Sequence, residues 1–345
     1  MEVRKLQQIK GGSFIISLPK RWVEKKKLKR GKGITIIEDD DGSLRLYPLA
    51  KGVAEPAEVK LTLEDFPDIR DLEYCIKTYY VQGSSKISVV SKEMIPADFK
   101  KRLKILRMEL PGLEVAEEEA DRIDFQVIVD LSSFSLKSLI EKTSAFSLNL
   151  QRDAIKAITE NNLQLAEEVI ERSREALRHY RITIRQTTLA SFNRSIAKKV
   201  GVRDSRECVT FVLITRDLSR LIYHSFSMAR HFRALNGKEK ISPEIAGAIK
   251  ELSSVVYNMQ KDAVRSFLEK DVKLAISVMN RMNDVRSREE KLLTVILKKI
   301  RDVETAVTLS HIVRDLRRIA GFSVAIADDA MNRALTPFKL SVTSD

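Results

Sequence analysis

The chain has 345 residues, 43% of them hydrophobic, with a formal net charge of +13 and a mean hydropathy of −0.19. That is apolar material enough for cores in two or three domains, while no run approaches the roughly 18 apolar residues of a membrane span, which excludes a bilayer-inserted chain. The start, MEVRKLQQIKGGS, lacks the continuous apolar stretch of a signal peptide, so the expected location is the cytoplasm. Cys75 and Cys208 lie far apart with no CxxC spacing, which points to free, partly buried thiols rather than a disulfide or zinc site.

The charge is concentrated at the front. Residues 1–35 hold eleven basic side chains against Glu2 and Glu24, a net +9, leaving +4 for the remaining 310 residues. Such a local field attracts polyanions, because phosphate contacts release counterions and dominate non-specific nucleic-acid affinity. Residues 3–9 read as a strand, Gly11-Gly12 as a turn, and SFIISL as a second strand. Pro19 suits the first position of a helix over 19–27 that turns Trp22 and Val23 inward, with Gly31 closing its carboxyl end. GITIIED and SLRLYP then alternate around Asp41-Gly42, a hairpin signal. The order is ββαββ. A unit of about fifty residues rarely supports itself without a metal, a disulfide or a partner, so an interleaved homodimer is expected.

The stretch GSFIISLPKRWVEKKKLKRGKGITIIEDDDGSLRLYP resembles the SpoVT/AbrB family in its Leu18-Pro19, its short helix through Trp22, its Leu28-Lys29-Arg30-Gly31 turn and its Asp41-Gly42 hairpin. The resemblance implies a swapped-hairpin dimer that binds double-stranded DNA. Arg4, Lys5, Lys10, Lys20 and Arg21 flank the strand ends and helix start and are the DNA-binding candidates. Lys25 and Lys26, in a triple lysine that departs from the family pattern, are read as phosphate contacts.

After a linker, LAKGVAEPAE, residues 57–131 read as a small α/β domain. Strands are expected over 59–63, 86–91, 113–118 and 123–129, and helices over 69–81 and 97–110. The acidic stretch EVAEEEADRID reads as a solvated hairpin rather than a cation site, because neighbouring carboxylates on a strand point to opposite faces.

From Leu136 the periodicity is helical, and the chain repeats itself. QRDAIKAITENNLQLAEEVIER at 151–172 aligns without a gap with QKDAVRSFLEKDVKLAISVMNR at 260–281, identical at eight of 22 positions. RDLSRLIYHSFSMA at 216–229 aligns with RDLRRIAGFSVAIA at 314–327. Ile155, Ile158, Leu165, Val169 and, in the second copy, Val264, Phe267, Leu274 and Val278 are expected to form the inner faces. Ser242-Pro243 is a cap and first-turn pair opening the second copy. The expected architecture is multidomain and mostly α: an N-terminal swapped-hairpin β module (1–50), the small α/β segment, then two tandem three-helix bundles, 135–236 and 241–336.

The paired RDLxRxx...A helices, with AIKAITENNLQLAEEVIERS...HYRITIRQ before the first, resemble the PhoU family of phosphate-uptake regulators over roughly 135–335. The domain order as a whole resembles an archaeal type of phosphate uptake regulator. In that family the third helix of each bundle carries E-x-x-x-D, carboxylates one turn apart that hold a metal cluster. Here those positions are Ser219 and Tyr223 in the first copy and Arg317 and Gly321 in the second; the matching aspartates of the preceding helices are Leu177 and Arg286. The cluster is therefore expected to be absent, with no cofactor. Arg286 and Arg317 raise an anion site as an alternative to ordinary ion pairs with nearby carboxylates. His224 and His231, seven residues apart, are two turns too distant to hold one ion without further ligands.

No phosphate loop, GxGxxG, GxSxG or HExxH is present, so no enzyme is expected. The leading reading is a homodimeric DNA-binding regulator of phosphate uptake whose helical half senses or relays phosphate status. Its rival is an interaction protein that docks on a phosphate transporter's ATPase subunit and uses the front module only for dimerisation.

Overall fold

The computed structural model describes residues 3–9, 11–38, 42–48, 58–128, 134–235 and 241–335. Two compact units divide the chain, one holding residues 1–55 and the other 56–337.

In the first unit, β1 (Gln7–Gln8) pairs antiparallel with β2 (Phe14–Ile15), α1 (Lys20–Lys25) follows, and β3 (Ile34–Glu38) pairs antiparallel with β4 (Leu44–Pro48). The ββαββ order matches the sequence pattern, but the first two strands are only two residues each. Pro19 is the cap rather than the first helical residue, with ψ at 127°, outside the helical range. The helix closes before Gly31, because Lys27 itself takes a left-handed conformation at φ 50°. Asp41, half of the expected turn, lies outside the described residues. No described residue of this unit is buried. Val3, Leu6, Phe14, Ile36 and Leu44 are each more than 60% exposed, although fully burying one such side chain is worth about 1.5–3 kcal/mol.

The second unit begins with β5 (Glu58–Thr62), α2 (Ile69–Val81), β6 (Lys86–Val90), α3 (Ala97–Glu109), β7 (Leu113–Glu118) and β8 (Arg122–Val127). The strands form one sheet in the order β5-β6-β8-β7, with β5 parallel to β6 and the other pairs antiparallel. Alternate residues Leu61, Ile87, Val89, Ile123 and Phe125 share a core with Leu72, Ile76 and Tyr80 of α2 and Leu103 and Leu106 of α3. The acidic hairpin is the β7–β8 pair. Glu118 meets Lys104 at 2.6 Å and Glu114 meets Arg107 at 3.4 Å. Asp124 is fully buried between Arg122 (2.6 Å) and Lys86 (3.0 Å); burial opposes its charge, but hydrogen bonds from Arg122, Lys86 and Ser88 hold its carboxyl at about 2.

The helical part contains α4 (Leu136–Thr159), α5 (Leu163–Ser173), α6 (Ala176–Phe192), α7 (Arg194–Val200) and α8 (Ser205–Ala234), then α9 (Pro243–Glu269), α10 (Val272–Asn280), α11 (Met282–Lys299) and α12 (Val303–Ala334). Side-chain caps set most of the helix starts: Ser135, Asn162, Asp204, Ser242, Asp271 and Asp302 each accept from a backbone N–H in the first turn. Pro243 stands at the first turn of α9. In each copy the middle helix is broken in two, α5/α6 and α10/α11, so the repeat is a long helix, a divided helix and a second long helix.

The sequence repeat is reproduced in contacts. Asp153 pairs with Arg172 at 2.8 Å, and the matching Asp262 pairs with Arg281 at 2.7 Å. Of the eight expected inner-face residues six are buried, while Leu165 and Leu274, which match each other, are half-buried. The copies are not independent bundles. Buried residues from Leu136 to Ala330 form one continuous cluster, and α8 and α12 are the most extensively packed pair of helices. Contacts from Arg333 to Glu207 and from His231 to Asp315 show that these two helices run antiparallel.

One helix ties the sheet to this bundle. Arg178 of α6 donates to the Met108 carbonyl at 2.6 Å, Arg181 pairs with Glu109 at 2.6 Å, and the buried Arg185 donates to the carbonyls of Tyr80 and Gly83. These are the carboxyl ends of α3 and α2, where cations complement the helix dipole and the orphan carbonyls. Gly83, at φ 99°, lies so close to α6 that a Cβ there would stand 2.6 Å from Leu189 Cδ2.

Candidate nucleic-acid interface and helical sensor positions

The expected DNA-binding residues in the described part of the front unit are all exposed: Arg4, Lys5, Lys20, Arg21, Lys25 and Lys26. Lys10 lies outside the described residues. Arg4 donates to Ser17 Oγ at 3.4 Å, which ties the amino-terminal segment to the chain two residues past β2. Lys20 stands 3.8 Å from Glu24, one turn along α1, with 89% of its side chain exposed. That single exposed pair is worth little, so the helix keeps its positive face. Trp22 and Val23 are half-buried on the opposite side, which leaves Lys20, Arg21, Lys25 and Lys26 outward.

In the helical part, the six positions that replace the expected carboxylates carry no acid. Leu177 and Tyr223 are 46% and 48% exposed. Ser219 donates to the Arg216 carbonyl at 2.6 Å, and a Cβ at Gly321 would meet nothing within 4 Å. Arg317 is paired with Glu289 at 2.9 Å, whereas Arg286 is exposed on α11. Burial raises the Glu289 carboxyl, and the Arg317 and Arg314 charges pull it down. Among the described residues, no three His, Cys, Asp or Glu side chains are placed to hold a metal ion.

The structure brings together groups that the sequence left apart. Asp217 and Asp315 occupy the same place in the two RDL motifs, and the same register matches His231 to Asp329. Where α8 crosses α12, each buried aspartate faces its counterpart's partner helix. Asp315 Oδ1 lies 2.8 Å from His224 Nδ1, and Asp315 Oδ2 lies 3.4 Å from His231 Nδ1 without hydrogen-bond geometry. His311 stacks on His231 with ring centroids 5.1 Å apart. Burial lowers the His231 imidazole, with the Asp315 charge opposing. At the matching crossing, burial first and then the charges of Asp217 and Asp328 push the Asp329 carboxyl up to about 7, against the pull of Arg216. Asp217 is fully buried, takes Arg216 Nε at 2.9 Å on Oδ1 and has no partner on Oδ2.

A third group fastens the helix ends. Glu207 receives Arg203 at 2.9 Å, Lys270 at 3.2 Å and Arg333 at 3.4 Å. Burial opposes its charge, yet these hydrogen bonds and cations hold it at about 2. Arg333 is itself held between the rings of Phe211 and Phe267, 4.9 and 4.8 Å from their centroids.

Comparison with known proteins follows the same division. The profile of the PhoU domain matches residues 140–232 and 249–330, half of the chain. The chain belongs to the PhoU domain family. Residues 7–53 match the profile described as "Antidote-toxin recognition MazE, bacterial antitoxin", so a MazE/SpoVT-AbrB type module precedes the PhoU part. Neither matched family is enzymatic. The "Phosphate-specific transport system accessory protein PhoU homolog 1" of Thermotoga maritima is 25% identical over 209 residues, 57% of this chain and 84% of that protein. The crystal structure of PhoU from Pseudomonas aeruginosa superposes with a TM-score of 0.50 at 20% identity, covering 57% of this chain and 94% of that one, and shows a shared helical fold. No helix among the described residues is long and apolar enough to cross a membrane.

The Asp315 group escaped sequence reading because its members lie up to 91 residues apart. One signal was present: the aspartates of the two RDL motifs fall among apolar positions of the α8 and α12 inner faces, where an acid needs a partner.

Proposed function

We propose that the protein is a DNA-binding regulator of phosphate uptake that works as a homodimer through its amino-terminal module. The observation that carries this reading is the pairing, in one chain, of a PhoU-family helical half with an AbrB-type module holding +9 of the chain's charge in residues 1–35. The exposed apolar residues Val3, Leu6, Phe14, Ile36 and Leu44 support a shared dimer core, since a module with no buried residue among those described gains hydrophobic stabilisation from a second copy. In such a dimer Arg4, Lys5, Lys10, Lys20 and Arg21 reach the duplex and Lys25 and Lys26 contact phosphates. The helical half relays phosphate status by favouring one arrangement of α8 and α12, and so the spacing of the paired modules. The replacements at Leu177, Ser219, Tyr223, Arg286, Arg317 and Gly321 support a half that works without a carboxylate-held cluster at those positions, and the Arg317–Glu289 contact favours an ion pair there over an anion site.

The rival reading, docking on a phosphate transporter's ATPase subunit, draws on the printed name of the Thermotoga relative as a transport-system accessory protein. Mapping chromosomal occupancy of the full chain in high and low phosphate separates the two. Enrichment at transporter genes that changes with phosphate supports the regulator. No enrichment under either condition, with co-purification of a transporter ATPase, supports the rival.

A further inference from the structure

The two RDL helices share an outward face that is strongly and unevenly charged. α8 packs on α4, α5 and α6, α12 packs on α9, α10 and α11, and α4 meets α9. Because α8 and α12 run antiparallel and carry matching motifs, the repeat relates them by a two-fold axis through their crossing, and their solvent stripes lie on one side of the pair. On α8 the stripe is Arg216, Arg220, Tyr223 and Arg230; at the matching positions of α12 it is Arg314, Arg318, Gly321 and Asp328, all exposed. Five arginines thus stand against one aspartate. Arg216 bonds Asp217 and Arg230 lies over the Phe226 ring, but Arg220, Arg314 and Arg318 make no ion pair or hydrogen bond among the described residues. His224 and Phe322 stack across the seam at 5.7 Å, so their neighbours Tyr223 and Gly321 stand at its centre. The two helices hold nine arginines and no lysine. Arginine and tyrosine are enriched in protein interfaces and lysine is depleted there, and a guanidinium fork pairs a carboxylate in two-point fashion.

The complementary charge sits at the β7–β8 turn. Glu117, Glu119 and Asp121 are exposed there, and their side chains make no ion pair or hydrogen bond among the described residues, whereas Glu114 and Glu118 are taken by Arg107 and Lys104. We propose that the α8–α12 face of one chain receives the acidic β7–β8 turn of a second copy. The turn stands away from its own bundle. It is held near the start of α3, where Ile95 donates to the Ala120 carbonyl at 2.9 Å and Ser91 to the Asp121 carbonyl at 2.8 Å, while α6 meets the opposite end of α3 at Met108 and Glu109. The 13 residues of α3 set these two ends about 20 Å apart. In a two-fold pair each turn lies on the other chain's face, so the contact closes on itself instead of growing into a filament. It is separate from the front-module contact, needs no DNA, and weakens with salt because its charges are exposed.

The test irradiates purified full-length chain that carries the photo-cross-linker p-benzoylphenylalanine in place of Tyr223. A band of doubled mass on a denaturing gel is expected, stronger at low salt, with its adduct mapped by mass spectrometry to residues 113–122 of the second chain. Arg220→Glu with Arg318→Glu lowers the yield about tenfold or more, because like charges then oppose each other. Glu117→Arg with Glu119→Arg does the same, and all four changes together restore the adduct. Every changed position is exposed, so Tm stays at the parent value. Absence of the doubled band, an adduct elsewhere in the chain, or a fourfold variant that does not recover overturns the proposal. So does a reversed α8–α12 face that leaves cross-linking intact and weakens duplex binding, which assigns these arginines to DNA instead.

Discussion

Asp329→Asn is the most informative stability perturbation in the helical half. Asp329 is 6% exposed, and burial together with the charges of Asp217 and Asp328 raises its carboxyl from 3.8 to about 7. A raised acid binds its proton more tightly in the folded state than in the unfolded one. Between about pH 4 and pH 7 the folded chain holds a proton that the unfolded chain has released, so stability falls as pH rises through this window and levels off above it. At 1.36 kcal/mol per pH unit the full penalty at pH 8 is about 4 kcal/mol, an upper bound because part is shared with Asp217. Asparagine keeps the shape and carries no charge at any pH. Urea unfolding of parent and variant at pH 4, 5, 6, 7 and 8 measures the difference. Near pH 4 the two should be nearly equal, and by pH 8 the variant should be more stable by several kcal/mol. A difference that does not change with pH, or a variant that is weaker at pH 8, refutes the reasoning.

Other perturbations follow from the same contacts. Glu207→Ala removes the one carboxylate among the described residues that meets Arg333, which keeps its bond to the Phe267 carbonyl; a cost at or below the low end of about 3–5 kcal/mol for a broken buried pair is expected, read as a lowered urea midpoint. Gly83→Ala forces a Cβ to 2.6 Å from Leu189 Cδ2 at φ 99°; a loss of about 2 kcal/mol or more is expected, and protease sensitivity of the α/β segment should rise with it. In the front module, neutralising Lys25 or Lys26 should lower the salt slope of duplex binding by about 0.9 for each lost phosphate contact, whereas neutralising the paired Arg317 should leave it unchanged.

The helical half was legible because its information is local and repeated. Periodic apolar positions placed Ile155, Val169, Val264 and Val278 in the core, and the repeat register sets Asp153 against Asp262, each of which meets an arginine, Arg172 and Arg281. Helix caps such as Ser242 were readable for the same reason. What the sequence hid was long-range. Nothing local says that α8 and α12 fuse the two copies into one core, or that Asp315 draws in His224 and His231 from the other copy. Nor does anything local to Arg178, Arg181 and Arg185 of α6 say that α2 and α3 end against them. At the front, the strand order and the basic face were legible, while the extent of pairing was not: β1 and β2 form only a two-residue ladder, because the side chains that would hold longer strands have no core in a single chain.

The central claim is that the basic module binds duplex DNA. Its most direct measurement is the affinity of the full chain for a duplex as a function of salt, set beside a variant with Arg4, Lys10, Lys20 and Arg21 neutralised. The proposed dimer loses eight charges in the variant, which should bind more weakly than the parent with a slope shallower by up to about 7, whereas the parent should show a steep fall in log affinity with log salt. A parent chain that binds without steep salt dependence, or a variant that binds as well as the parent, would contradict it.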